Sequence, residues 1–121
     1  MPKVILIADD HELMRKMLCR LFEREEGYHL CAEAANGKEA IELALKHRPE
    51  LIILDFAMPI MNGLDAAREL KKLFPNVPII LFTQYSDFGN ALADDRKNVD
   101  CIVSKTNVAQ LMEQVRSLLP V

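Results

Sequence analysis

There is no tryptophan in this chain, and the other aromatics are two Tyr and five Phe among 121 residues. So few rings leave no platform on which bases could stack. Positive charge is not in excess either: 15 Lys and Arg stand against 18 Asp and Glu, a formal net charge of −3. Binding to DNA or RNA needs a basic stripe that neutralises phosphates, so none is expected of this chain directly. The three cysteines, Cys19, Cys31 and Cys101, are odd in number and form no Cys-x-x-Cys pair. That excludes a fully paired disulfide framework and a cysteine-rich zinc site, and makes reduced thiols in a cytoplasmic protein the expectation. The early apolar run from Val4 to Ala8 is too short for a signal-peptide core or a membrane span. Neither G-x-G-x-x-G nor G-x-x-x-x-G-K-[ST] occurs, so no glycine-rich loop is available to cradle a nucleotide's phosphates.

What is present is an alternation of short apolar runs with stretches of helical period, in a length that suits one domain over residues 1–121. Val4–Ala8 reads as a buried strand. Leu13, Met14, Met17, Leu18, Leu21 and Phe22 then recur at helical spacing, with Gly27 closing that helix. Tyr28–Ala34 is a weaker strand, broken by His29 and Glu33, and belongs at a sheet edge. Asn36, with Glu39 three residues on, suits a helix start close to a capping box, with Ala40, Ile41, Ala44 and Leu45 inward and Pro49 as the stop. Leu51–Leu54 has no polar alternation and should be covered on both faces. Asn62 caps a third helix (Leu64, Ala67, Leu70 and Leu73 inward), and Pro75 ends it. Ile79–Phe82 and Cys101–Val103 are two more strands. A fourth helix between them has only Phe88, Ala91 and Leu92 to bury, which makes Ser86 to Asn98 the weakest part of the expected fold. Asn107 caps a last helix with its stripe on Val108, Leu111, Met112, Val115, Leu118 and Leu119. Five strands alternating with five helices imply an α/β protein, a doubly wound parallel sheet with helices on both faces. Such sheets bind ligands beyond the carboxyl ends of their strands.

At those ends stand Asp9 and Asp10, then Asp55, then Thr83, then Ser104 and Lys105. If the first and third strands are neighbours, about 4.8 Å apart, three carboxylates converge. Their repulsion is relieved by a divalent cation or an ammonium, and few carboxylates plus water are what Mg²⁺ favours. A metal, a lysine and a threonine hydroxyl together are suited to a phosphoryl group. With no backbone cradle for a nucleotide, the remaining option is transfer onto a carboxylate, giving an aspartyl phosphate. Each residue alone has a plainer reading: helix cap, turn residue, structural threonine, solvated lysine. It is their joint placement on one edge that favours a site. His11 reads as an exposed first-turn residue rather than a ligand, and Met14, Met17 and Met112 as packing.

Asp9-Asp10, Asp55 within Leu-Asp-Phe-Ala-Met-Pro followed by Met61-Asn62-Gly63, then Thr83 and Lys105, resemble the receiver domain of two-component response regulators across essentially the whole chain. The resemblance implies a flavodoxin-like sheet in the order 2-1-3-4-5. It implies that Asp55 takes a phosphoryl group from a phosphohistidine of a sensor kinase or phosphotransfer protein. Asp10, Asp55 and the backbone carbonyl of Ala57 would bind Mg²⁺ directly, Asp9 mainly through water, and Thr83 and Lys105 would contact the phosphoryl oxygens. An output domain or protein target would dock on the face of the fourth helix, fifth strand and fifth helix, and a phosphorylation-dependent dimer is among the assemblies it allows. Ending at Val121, the chain reads either as a single-domain regulator or as a receiver joined to an output domain.

Three departures from that pattern bear on mechanism. Ile102 stands where the family usually has Tyr or Phe, so an aromatic rotamer switch is unavailable. Thr106 stands where Pro is common, and a cis bond before a non-proline residue costs about 3 kcal/mol or more, so trans is expected. Asp94 and Asp95 replace small or apolar residues, and Asn98 replaces Gly while still tolerating a left-handed cap. A receiver-like interaction module that signals without phosphorylation is the rival reading. A Mg²⁺-dependent phosphatase with an Asp nucleophile is a weaker one, because the second acid it needs two residues after the nucleophile is here Ala57.

Overall fold

The computed structural model describes residues 1–84 and 95–121. Its strands are β1 (Lys3–Ala8), β2 (Tyr28–Ala34), β3 (Leu51–Leu54), β4 (Ile79–Thr83) and β5 (Cys101–Ser104). They form one sheet in the order β2-β1-β3-β4-β5, every pair parallel. β2 lies at an edge with His29 and Glu33 exposed, while all four residues of β3 are buried.

Strand side chains alternate between two cores. Leu6, Ala8, Ile52, Leu54, Ile79 and Leu81 pack against α2 (Gly37–His47) and α3 (Gly63–Leu73) through Ala40, Ala44, Leu64, Ala67 and Leu70. Ile5, Ile7, Leu51, Ile53, Ile80 and Phe82 pack against α1 (Glu12–Arg24) and the C-terminal helix (Val108–Leu118) through Leu18, Phe22, Leu111, Met112 and Val115. No described helix is long and apolar enough to cross a membrane.

The three asparagine caps form as expected. Asn36, Asn62 and Asn107 accept from the amides of Glu39, Asp65 and Gln110 at 2.8, 2.9 and 3.0 Å. Glu39 reaches back to the amide of Ala35, at 3.1 Å, one residue short of a strict capping box. α1 differs from expectation. It ends at Arg24, and Gly27 instead takes φ +92 in the turn before β2, where its carbonyl accepts from Lys3 at 2.7 Å. Four residues expected inward are largely exposed: Leu13 at 84%, Met17 at 39%, Leu45 at 48% and Leu73 at 47%. A helix laid on a sheet buries only an arc of its surface; Met17, Leu45 and Leu73 flank that arc, while Leu13 falls on the side of α1 away from Leu18 and Phe22.

Four α-helices, not five, are seen among the described residues, together with a 3₁₀ turn at Asp95–Asn98. Phe88, Ala91 and Leu92, on which the expected fourth helix rests, lie outside the described residues, as does the rest of the stretch from Ser86 to Asp94. Asn98 does not adopt the left-handed conformation its position allows. The described non-glycine residues with positive φ are Arg48, just after α2, and Ile60, before α3.

Candidate functional site

Parallel register brings the strand ends level. Ala8 pairs with Leu54, so Asp9 and Asp55 leave β1 and β3 side by side, and the Asp55 amide donates to the Ala8 carbonyl at 2.9 Å. Thr83, the last residue of β4, pairs with Ser104 of β5, and the Lys105 amide donates to the Thr83 carbonyl at 3.0 Å. The Lys105–Thr106 peptide is trans. In place of a proline, side-chain bonds hold this turn: Ser104 Oγ lies 2.8 Å from Thr106 Oγ1 and accepts from the Thr106 amide at 3.2 Å.

At the centre is Asp55, 1% exposed. Its Oδ1 accepts from the Thr83 hydroxyl at 2.8 Å and its Oδ2 from the Lys105 ammonium at 2.9 Å. Lys105 also lies 2.9 Å from Asp9 Oδ2. Burial pushes the Asp55 carboxyl above its ordinary range, against the pull of the Lys105 and Thr83 hydrogen bonds, and the neighbouring Asp9 charge adds to the rise. Burial works to lower Lys105, but its bonds to Asp9 and Asp55 and their negative charges outweigh it and hold the ammonium protonated. The Asp55 shift is thus chiefly the cost of burying a charge, and the Lys105 shift reflects the two carboxylates beside it.

Asp10 is exposed beside this pair. The candidate ligand atoms of Asp9, Asp10, His11 and Asp55 lie within 4.8 Å of one another. Carboxylate oxygens open to water at one side fit Mg²⁺. Ala57 lies on the exposed loop two residues past Asp55. The loop is anchored at α3, where the Gly63 amide donates to the Phe56 carbonyl at 2.9 Å. A Cβ on Gly63 would run into the carbonyl of Asp55 itself, so this helix start has to be glycine. Ile102 is half-buried against the α2–α3 side of the sheet.

All five chemically distinctive residues singled out from sequence, Asp9, Asp10, Asp55, Thr83 and Lys105, therefore meet at one edge. Two further residues join them. Arg15 donates to the Asp9 carbonyl at 2.7 Å and its Nε lies 3.3 Å from Glu33, tying the Asp9 turn to α1 and the β2 edge. The signal for it was a basic residue one turn into the helix after the acids, indistinguishable in sequence from a solvated arginine. His11, exposed as expected, nevertheless turns Nδ1 to 3.2 Å from both Asp9 Oδ1 and Asp10 Oδ1.

A doubly wound parallel α/β sheet carrying paired acids, a buried aspartate, a threonine and a lysine on the carboxyl ends of its strands defines a flavodoxin-like protein with an acidic cluster at that edge. Residues 5–116 match the family model described as the response regulator receiver domain, and the chain belongs to that family. It is 45% identical over 85 residues to the transcriptional regulatory protein PdtaR of Mycobacterium tuberculosis, a match covering 69% of this chain and 41% of that protein. It is 42% identical over 81 residues to the chemotaxis protein CheY of Thermotoga maritima, covering 67% of each. The response regulator TrrA of Thermotoga maritima, solved in complex with Mg²⁺–BeF, has TM-score 0.86 and 36% identity, covering 97% of this chain and 99% of that one. The chain thus spans less than half the length of PdtaR.

Proposed function

We propose that residues 1–121 form one receiver domain that works in the cytoplasm as a phosphoacceptor switch, with Asp55 as the acceptor. An Asp55 carboxylate oxygen attacks the phosphorus of a phosphohistidine on a sensor kinase or phosphotransfer protein. The P–N bond breaks, its electron pair stays on the imidazole nitrogen, which takes up a proton, and an aspartyl phosphate remains. Lys105 and Thr83, which already donate to the two Asp55 oxygens, then donate to phosphoryl oxygens as charge builds there. Asp10, Asp55 and the Ala57 carbonyl would hold Mg²⁺ directly, and Asp9 through water. Bound there, the ion neutralises phosphoryl oxygens and the carboxylates facing them. Drawing Thr83 and Lys105 off the carboxylate changes the ends of β4 and β5. The signal is read on β5, the C-terminal helix and the segment before β5, by an output domain, a protein target or a second copy of the chain. The chain is a switch and not a metabolic enzyme.

The observation that carries this reading is the Asp55 carboxylate, buried yet held from both oxygens by a hydroxyl and an ammonium. TrrA, solved with Mg²⁺–BeF, supports it. Incubation with Mg²⁺ and acetyl phosphate should give one phosphate adduct, mapped to Asp55 by mass spectrometry. Asp55→Asn should abolish it without unfolding the chain. Labelling of that variant at an unchanged rate overturns the assignment, and a wild-type chain that takes neither phosphate nor beryllofluoride is an interaction module instead.

A further inference from the structure

Among the described residues β2 pairs with β1 alone, so its outer edge has no strand beside it. Such an edge offers backbone N–H and C=O groups to an incoming chain, and proteins usually blunt it. Here it borders a groove of about 290 Å³ between α1 and β2, one wall of which is the strand itself from Tyr28 to Glu33. A bulge shapes that wall. Ile5 pairs with Leu30 but Leu6 with Ala32, which makes Cys31 an extra residue. In a regular strand, residues three apart face opposite sides. Across this bulge Leu30 and Glu33 both face α1: Leu30 packs in the core beneath it and Glu33 pairs with Arg15, while Cys31 and Ala32 turn to the other core. The groove therefore has an apolar wall of Phe22 and Leu30 and carries the carboxylates of Glu23 and Glu33, with no lysine or arginine lining it. Arg15 takes one oxygen of Glu33 at 3.3 Å, whereas the exposed Glu23 has no ion pair among the described residues. Burial raises the Cys19 thiol, and both carboxylates push it further against the pull of Lys16, so their charges converge on this groove.

The groove is at the small end of ligand cavities and suits one side chain better than a metabolite. Lys and Arg lay an apolar stem along such a wall and keep the charged head free to pair. We propose that the outer edge of β2 docks an extended segment of a partner protein, which adds to the sheet as a strand and sets a Lys or Arg side chain in the groove beside Glu23 and Glu33. Main-chain hydrogen bonds would supply affinity, and the acidic groove would select the side chain. This inference goes beyond the switch reading and does not depend on phosphorylation of Asp55.

The probe is a capped pentapeptide, Thr-Val-Arg-Val-Thr, titrated into the full ¹⁵N-labelled chain and followed by amide chemical shifts and hydrogen exchange. Shifts should gather on β2 and the facing side of α1, and the outward amides of β2 should exchange more slowly with peptide bound. The same peptide with Glu in place of Arg should bind at least about five-fold more weakly, and Glu23→Gln should weaken the Arg peptide by about two- to five-fold, the range of an exposed ion pair. Glu23 is exposed, so that variant should fold as wild type does. A peptide methylated on its backbone nitrogens should lose binding, because it cannot form the strand ladder. Absence of binding, equal affinity for the Arg and Glu peptides, undiminished binding of the methylated peptide, or shifts centred on Asp9 and Asp55 would each overturn the proposal. Protection of the outward β2 amides that rises with chain concentration alone would assign the edge to a second copy, and overturn it too.

Discussion

Lys105 Nζ lies 2.9 Å from Asp9 Oδ2 and 2.9 Å from Asp55 Oδ2, so one ammonium from the end of β5 reaches across β4 and joins the ends of β3 and β1. All three side chains are at most 8% exposed. Removing one partner of a buried pair costs on the order of 3–5 kcal/mol, because the charge left behind stays buried. Lys105→Met should therefore destabilise the chain by about that amount in urea titrations without metal. Added Mg²⁺ should recover more stability in the variant than in wild type. An equal response of the two would mean that ammonium and metal do not share the same carboxylates.

Asp10 is the exposed member of the acid group, so its removal should spare the fold. Mg²⁺ should raise the melting temperature of wild type by binding the folded chain alone. Asp10→Ala should lose most of that rise and keep its own melting temperature in chelator close to the wild-type value. Calorimetry with and without Mg²⁺ checks both.

Gly63 has no room for a methyl group, because a Cβ there meets the Asp55 carbonyl. Gly63→Ala should push the Asp55 peptide out of place. We expect a loss of about 1–3 kcal/mol, the cost of overpacking, together with slower phosphorylation by acetyl phosphate. Gly27 also meets a side chain, but the far end of Val121, so a Gly27 variant should leave phosphorylation unchanged.

Ile60 is a β-branched residue at φ 70 and 79% exposed, so it pays for a left-handed backbone without burying its side chain. Such a conformation costs roughly 1–2 kcal/mol, and Asn tolerates it better. Ile60→Asn should raise the stability of the chain by up to about 1 kcal/mol in denaturant titrations. A loss of stability would show that the side chain packs on something in solution.

Burial pushes the Cys19 thiol up to about 12, with the Glu33 hydrogen bond and the charges of Glu33 and Glu23 adding to the rise. Burial likewise raises Cys31 and Cys101. A raised folded-state value favours the thiol, so its contribution to stability is present below the unfolded value, about 8.5, and is lost as pH climbs towards 12. Alkylation reads the thiolate fraction. At pH 8 Cys19 should react with iodoacetamide at least about ten-fold more slowly in the native chain than in urea, as peptide mass spectrometry would show. Equal rates would contradict the burial seen here.

Much of this architecture can be read from residues because the signals are local. Asn36, Asn62 and Asn107 each cap a helix by bonding an amide three residues on, a contact that needs no tertiary partner. The unbroken apolar run Leu51–Leu54 demands cover on both faces, which places β3 in the interior. Helix boundaries and burial were less legible. Leu13 and Met17 repeat at the right spacing, yet which arc of α1 is covered depends on how the helix lies on the sheet.

By itself the sequence determined the order of strands and helices, their caps, and the set of acids, threonine and lysine at the strand ends, since each follows from residue type and spacing along the chain. Only the tertiary structure decided what those residues do to one another. The level register of β1 and β3 puts Asp9 beside Asp55, and the order of β4 and β5 sets the reach of Lys105. Arg15 turns to the Asp9 carbonyl and the exposed His11 ring leans on two carboxylates, contacts that only the folded Asp9 turn offers. The energies that matter in the site, desolvation and charge pairing, depend on distance in space, and residues 50 positions apart, such as Asp55 and Lys105, carry no local trace of lying 2.9 Å apart.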